Sequence, residues 1–134
     1  MGAVACLDAM ASRILLVDDH EIVRMGVRIL LAGNPEWEVC GEAADGEQAL
    51  REVVNLVPDV VILDLSLPVM NGFEVAQEIR RIAPSTKIVL FSIHEVPAIA
   101  QHIGIDAFVA KSSGIEVLAA TLERVLQRRT LTNA

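Results

Sequence analysis

Four stretches of the chain are apolar without interruption and run between polar side chains: Arg13-Ile-Leu-Leu-Val-Asp18, Asp59-Val-Val-Ile-Leu-Asp64, Lys87-Ile-Val-Leu-Phe-Ser92 and Asp106-Ala-Phe-Val-Ala-Lys111. Each is short, often β-branched, and continuous rather than alternating. That is the pattern of a strand buried on both faces. A fifth run, Trp37-Glu-Val-Cys-Gly41, is mixed and reads as an edge strand.

Helical periodicity fills the gaps. From Glu21 to Ala32, the residues Ile22, Met25, Ile29 and Leu30 fall on one side, and Gly33-Asn34-Pro35 stops the helix. Gly46 to Val57 carries Leu50, Val53, Val54 and Val57 on one stripe and ends at Pro58. Asn71-Gly72 opens a third helix with Phe73, Ala76, Ile79 and Ile82 at helical spacing and Pro84 beyond. The last helix has the cleanest period, Ile115, Leu118, Ala119, Leu122 and Leu126. Between the fourth and fifth strands only a short helix fits, Pro97 to His102, with Pro97 in its first turn.

Strand and helix therefore alternate five times. This predicts an α/β domain, a doubly wound parallel sheet of five strands with right-handed crossovers and helices on both faces. The domain spans 13–127. Residues 1–12 lack a basic start, contain Asp8 and read as a disordered leader or expression remnant; 128–134 read as a tail or the start of a linker.

Composition narrows the picture. The 134 residues suit one domain, and 53% apolar with only 3% aromatic residues demands an aliphatic core. No apolar run approaches the ~20 residues of a membrane helix. Cys6 and Cys40 form neither a metal spacing nor a disulfide framework, which points to a reduced, cytoplasmic chain. The net charge of -7 argues against direct nucleic-acid binding by this domain.

The strand ends carry the chemistry: Asp18-Asp19, Asp64, Ser92 and Lys111. Ligands of open parallel sheets bind beyond the carboxyl ends of the strands, where strand order reverses. The edge strand brings no comparable group, as a 2-1-3-4-5 order would have it. Three carboxylates in one site repel one another, and a hard divalent cation such as Mg²⁺ relieves that while engaging a phosphate. A carboxylate can accept a phosphoryl group as an acyl phosphate. The Lys111 ammonium and the Ser92 hydroxyl would face its spread negative charge.

This ordered set, followed after the third strand by Asp64-Leu-Ser-Leu-Pro68-Val-Met-Asn-Gly72, resembles the response-regulator receiver family over 13–127. The resemblance implies a flavodoxin-like fold and phosphorylation of Asp64 by phosphohistidine on a histidine kinase or phosphotransfer protein. It implies Mg²⁺ held directly by Asp19 and Asp64, through water by Asp18, and by the backbone carbonyl of Ser66. Lys111 would pair with the phosphoryl oxygens, Ser92 would move to bond them, and Phe108 would rotate inward as the family's aromatic switch. Such a domain acts only on its own phosphorylation and dephosphorylation and is not otherwise an enzyme.

The Ser-Ile-His-Glu stretch, and Ser112 where many relatives have proline, are similar to NarL-like receivers, which usually precede a DNA-binding helix-turn-helix. Control of transcription through such an output domain, missing from this chain, is the expected role. The family's output and homodimer face uses its fourth helix, fifth strand and fifth helix. Here Ser92 and Lys111 stand 19 positions apart. That shortens the fourth helix by nearly one turn of ~3.6 residues relative to the family.

Other readings stay open. The chain could be a receiver-like interaction module that needs no phosphate, or a phosphohydrolase with an aspartate nucleophile, although those resemble Asp-x-Asp where this chain has Ser66. One of Asp18 and Asp19 is expected to cap the first helix. Phe108 could simply be core. His94 is either a loop residue or a group that governs water access to an acyl phosphate. His20 and His102 carry no functional reading, and Trp37 reads as packing.

Overall fold

The structure is a computed structural model that describes residues 11–93 and 103–133, with side chains as far as residue 126. Strands β1 (Ser12–Val17), β2 (Trp37–Ala43), β3 (Val60–Leu63), β4 (Lys87–Ser92) and β5 (Ala107–Ala110) form one parallel sheet in the order β2-β1-β3-β4-β5. Helices α1 (Glu21–Ala32), α2 (Gly46–Leu56) and α3 (Gly72–Ile82) follow the first three strands. A 3₁₀ turn at Lys111–Ser113 leads from β5 into α4 (Ile115–Asn133), the last helix of the sequence reading. The doubly wound fold and its strand order are as expected. The short helix expected at Pro97–His102, and with it His94, lies outside the described residues.

The uninterrupted apolar runs follow from burial on both faces. Leu15 and Val17 of β1, Val61 and Leu63 of β3, and Ile88 and Leu90 of β4 point into a core shared with α2 and α3. Their alternate neighbours Ile14, Leu16, Val60, Ile62, Val89 and Phe91 point into a second core with α1 and α4. Strand side chains alternate with period two, so a strand with a core on each side has no polar positions to show.

The apolar stripe expected on α1 is corrected. Val27 and Leu31 are buried with Val23 and Leu30 beside them, whereas Ile22 and Ile29 are 76% and 68% exposed and Met25 is 40% exposed. Both sides of this helix are apolar, so periodicity alone could not choose between them. Packing of Val27 and Leu31 into the core with α4 goes with the choice, and Arg24 and Arg28, which border the buried side, pair with Glu42 at the end of β2. In α2, Ala49 and Val53 are buried and Leu50 is packed against the core, but Val54 and Val57 are exposed. Val57 leaves the helix in the left-handed region (φ 45°) before Pro58.

Edge strand β2 is irregular for a visible reason. Its register against β1 slips by one between Ile14↔Val39 and Leu15↔Gly41, leaving Cys40 as the extra residue. Trp37 and Val39 therefore face the α1/α4 core, while Ala43, two positions past Gly41, faces the other. At the far end of the sheet Arg80 of α3 donates to the carbonyls of Pro84, Thr86 and Gly104 and to Asp106 Oδ2, which also accepts the Ile88 N–H. This clamp fixes where β5 begins beside β4.

Two predictions test these assignments. Leu31→Ala should lower stability by about 2–5 kcal/mol, and Ile29→Ala should change it by no more than about 0.5 kcal/mol, read from denaturant unfolding. Burial pushes the Cys40 thiol above its ordinary range, against the opposing pull of Arg13. In a Cys6→Ser background, Cys40 should react with iodoacetamide more slowly at neutral pH than an unfolded thiol does. The folded chain holds that proton more tightly, so its contribution to stability is present below the usual thiol range and is lost as pH rises through the raised value.

Candidate functional site

Strands β1 and β3 are neighbours although β2 separates them in sequence, and this is the point where the chain's winding reverses. The amide of Asp18 donates to Ala43 O and that of Asp64 to Val17 O, both at 3.0 Å, so each aspartate extends the strand ladder by one residue. Both are buried, at 5% and 2% exposure. Lys111, just past β5, reaches across to them: its Nζ lies 2.6 Å from Asp18 Oδ2 and 3.3 Å from Asp64 Oδ2. The same ammonium stands 5.8 Å from the centre of the Phe91 ring.

Asp19 and His20 form the wetter side of the cluster. His20 Nδ1 is 3.1 Å from Asp18 Oδ1 and 3.1 Å from Asp19 Oδ1. Ligand atoms of Asp18, Asp19, His20 and Asp64 all lie within 4.8 Å of one another. Hard carboxylate oxygens at this density fit a hard divalent cation. The expected helix cap is not there: His20 is the N-cap residue of α1 and no side chain caps it. Asp18 Oδ1 instead accepts the His20 N–H at 2.9 Å, two residues on, and so shapes the turn out of β1.

The loop after Asp64 is tightly built. Asp64 Oδ1 accepts the Ser66 N–H at 3.3 Å, and Gly72 N–H donates to Leu65 O at 2.8 Å. A Cβ at Gly72 would stand 2.4 Å from the carbonyl oxygen of Asp64, so only glycine lets α3 start there. Val69 is held at φ 73° with Met70 N–H bonded to Pro68 O, a strained γ-turn for a β-branched residue. Asn71 and Glu74 then cap α3 reciprocally.

Of the residues singled out from sequence, Asp18, Asp64 and Lys111 touch directly, and Asp19 joins their cluster. Ser92 is fully buried at the end of β4, paired with Ala110, the residue before Lys111. Phe108 is 39% exposed on β5 and belongs to neither core. The sequence did not reveal His20 as part of the cluster, nor Arg24. Arg24 Nη1 donates to the Asp18 carbonyl at 2.6 Å while its Nε holds Glu42, which ties α1, the β1 end and β2 together. No local spacing links positions 18, 24 and 42, so only the folded topology shows that bond set.

A carboxylate pair closed by a lysine at the switch point of a doubly wound sheet defines a class of flavodoxin-like domain with an acidic site at the carboxyl ends of its strands. Within that class, the chain belongs to the response regulator receiver domain family, whose model matches residues 14–123. The nitrate/nitrite response regulator protein NarL of Escherichia coli K12 is 39% identical over 114 residues, which cover 83% of this chain and 53% of NarL. A LuxR-family two-component response regulator from Aurantimonas sp. SI85-9A1 superimposes with a TM-score of 0.81 at 38% identity, covering 87% of this chain and 86% of that one. The receiver domain of a NarL response regulator from Mycobacterium tuberculosis does so with a TM-score of 0.77 at 35% identity, over 86% and 96%. The chain thus resembles NarL-like receivers of bacterial two-component systems. It spans about half the length of the curated relatives it matches. Among the described residues no helix is long and apolar enough to cross a membrane.

Lys111→Met removes the cation from between two buried carboxylates. Breaking such a pair from one side should lower stability by about 3 kcal/mol or more, measured by urea unfolding in the presence of chelator. Unchanged stability would mean that the Lys111 contacts hold nothing together.

Proposed function

We propose that this chain is a phospho-acceptor receiver that takes a phosphoryl group onto Asp64 and switches conformation to control transcription. The observation that carries the reading is the Lys111 ammonium poised over Asp18 and Asp64. The donor is phosphohistidine on a histidine kinase or phosphotransfer protein. Its P–N bond breaks as a P–O bond forms to an Asp64 carboxylate oxygen, and the freed imidazole leaves on the donor. Mg²⁺, held by Asp19, Asp64 and the Ser66 backbone carbonyl with Asp18 behind water, would neutralise charge developing on the phosphoryl oxygens.

The chain's own residues do the rest. Burial of Asp64 keeps bulk water from the acyl phosphate. Lys111 stands close enough to turn from Asp64 Oδ2 to a phosphoryl oxygen. Ser92, buried on the neighbouring strand, moves to donate its hydroxyl. Phe108, half out of the fold on β5, turns inward as Ser92 moves. Driving a 1:99 mixture to 99:1 needs about 5.5 kcal/mol, and a few charge-assisted hydrogen bonds of roughly 1.5–3 kcal/mol each supply that. The domain catalyses no reaction beyond its own phosphorylation and dephosphorylation. It works in the cytoplasm, with output through a DNA-binding domain and homodimerisation through the family's fourth helix, β5 and the helix after it.

Acetyl phosphate with Mg²⁺ should add one phosphoryl group to the wild type by mass spectrometry, and Asp64→Asn should add none. Uptake by the variant at the wild-type rate would place the acceptor elsewhere. Lys111→Ala should still take up phosphate, more slowly, and fail to show the beryllofluoride-induced change in size or partner binding.

A further inference from the structure

His20 stands inside the acidic cluster, yet phosphoryl capture as proposed makes no use of it. Its Nδ1 is equidistant, at 3.1 Å, from carboxylate oxygens of Asp18 and Asp19. A ring nitrogen carries at most one hydrogen, and only the Asp18 contact has hydrogen-bond geometry. The Asp19 oxygen faces the same nitrogen without a hydrogen aimed at it. Metal–ligand bonds of about 2.0–2.2 Å place adjacent ligand atoms about 3 Å apart in octahedral sites and about 3.4 Å apart in tetrahedral ones. Nδ1 already stands at that spacing from both carboxylate oxygens, and all the cluster's ligand atoms lie within 4.8 Å of one another.

The backbone that carries the ring is also anchored. The His20 N–H is held by Asp18 Oδ1 at 2.9 Å, and its carbonyl accepts the Val23 and Arg24 amides at 3.1 Å each. Its side chain is 63% exposed, so water can reach the open side and complete a coordination shell.

We infer that His20 Nδ1 is a metal ligand in this chain, so that the site is a mixed carboxylate–imidazole centre able to take imidazole-seeking divalent ions such as Ni²⁺ and Zn²⁺. This rests on the reading of the acidic cluster as a cation site and sharpens which cations it accepts. Oxygen ligands alone favour Mg²⁺ and Mn²⁺, whereas an added imidazole raises affinity toward the later transition metals. Loss of His20 should therefore separate the two classes of ion.

The test is isothermal titration calorimetry of the chain with Mg²⁺ and with Ni²⁺, for the wild type, His20→Ala and Asp64→Asn. The expected result is Ni²⁺ affinity lowered by on the order of tenfold or more in His20→Ala, with Mg²⁺ affinity nearly unchanged. Excess Mg²⁺ should compete Ni²⁺ from the wild type, which identifies the shared site, and the His20 ring signals should respond to Zn²⁺ in NMR spectra. If Mg²⁺ binds and His20→Ala keeps wild-type Ni²⁺ affinity, the inference about His20 falls and the cation site stands. If neither ion binds the wild type, or Asp64→Asn binds both as well as the wild type, the cation reading fails and the His20 inference with it.

Discussion

Two carboxylates buried side by side repel each other strongly unless a positive charge lies between them, because little water is present to screen them. Asp18 and Asp64 are in that position, and Lys111 is the charge. The three follow β1, β3 and β5, and they meet only if every strand between them is in its place. Val17 must pair with Leu63, Leu63 with Leu90, and Ser92 with Ala110 before Lys111 can reach the aspartates. The apolar alternation that fills both cores sets those registers, since a slip of one residue would turn every core side chain to the wrong face. The Arg80 clamp sets where β5 enters at the opposite end. Site and scaffold are thus one constraint: the ion cluster exists because the sheet is in register.

Much of this could be read along the chain. The strands announce themselves because burial on both faces leaves nothing polar inside them, and the site residues sit at the polar ends of those runs. What the sequence concealed had a common physical cause, namely competition settled at a distance. The α1 helix offers two apolar sides, Ile22/Met25/Ile29 and Val23/Val27/Leu31, and the choice between them is made by packing against distant residues of the sheet and α4. The bulge at Cys40 is invisible locally because it answers to the phase of β1. The Asp-Asp pair looked like a helix cap because such residues favour caps, but Asp18 is drawn into the sheet edge by its amide bond to Ala43. His20 is ordinary in sequence and becomes notable only once the turn folds it back onto the aspartates.

The site has two unlike sides. Asp18, Asp64 and Lys111 are dry, paired and tied into the sheet, while Asp19 and His20 are open to water. On the dry side the charges are held in place before any ligand arrives rather than recruited by it. The wet side suits exchange of ions and entry of a donor. Arg24 holds the Asp18 backbone from α1, so the placement of the buried carboxylate pair depends on a helix beside the site as well as on the sheet.

The loop from Asp64 to Gly72 is fixed at its two ends for opposite reasons. Asp64 is held by what its side chain pairs with, Lys111 and the Ser66 N–H, and Gly72 by having no side chain, since any added carbon would strike the carbonyl of Asp64. A library randomised across this loop and selected only for folding would hold Gly72 strictly, and would accept at position 64 only side chains that the buried Lys111 contact and the Ser66 N–H tolerate. The exposed Val69 would drift toward residues that tolerate its backbone. The pattern of tolerated change along one short loop would then separate, position by position, what the backbone demands from what the side-chain contacts demand.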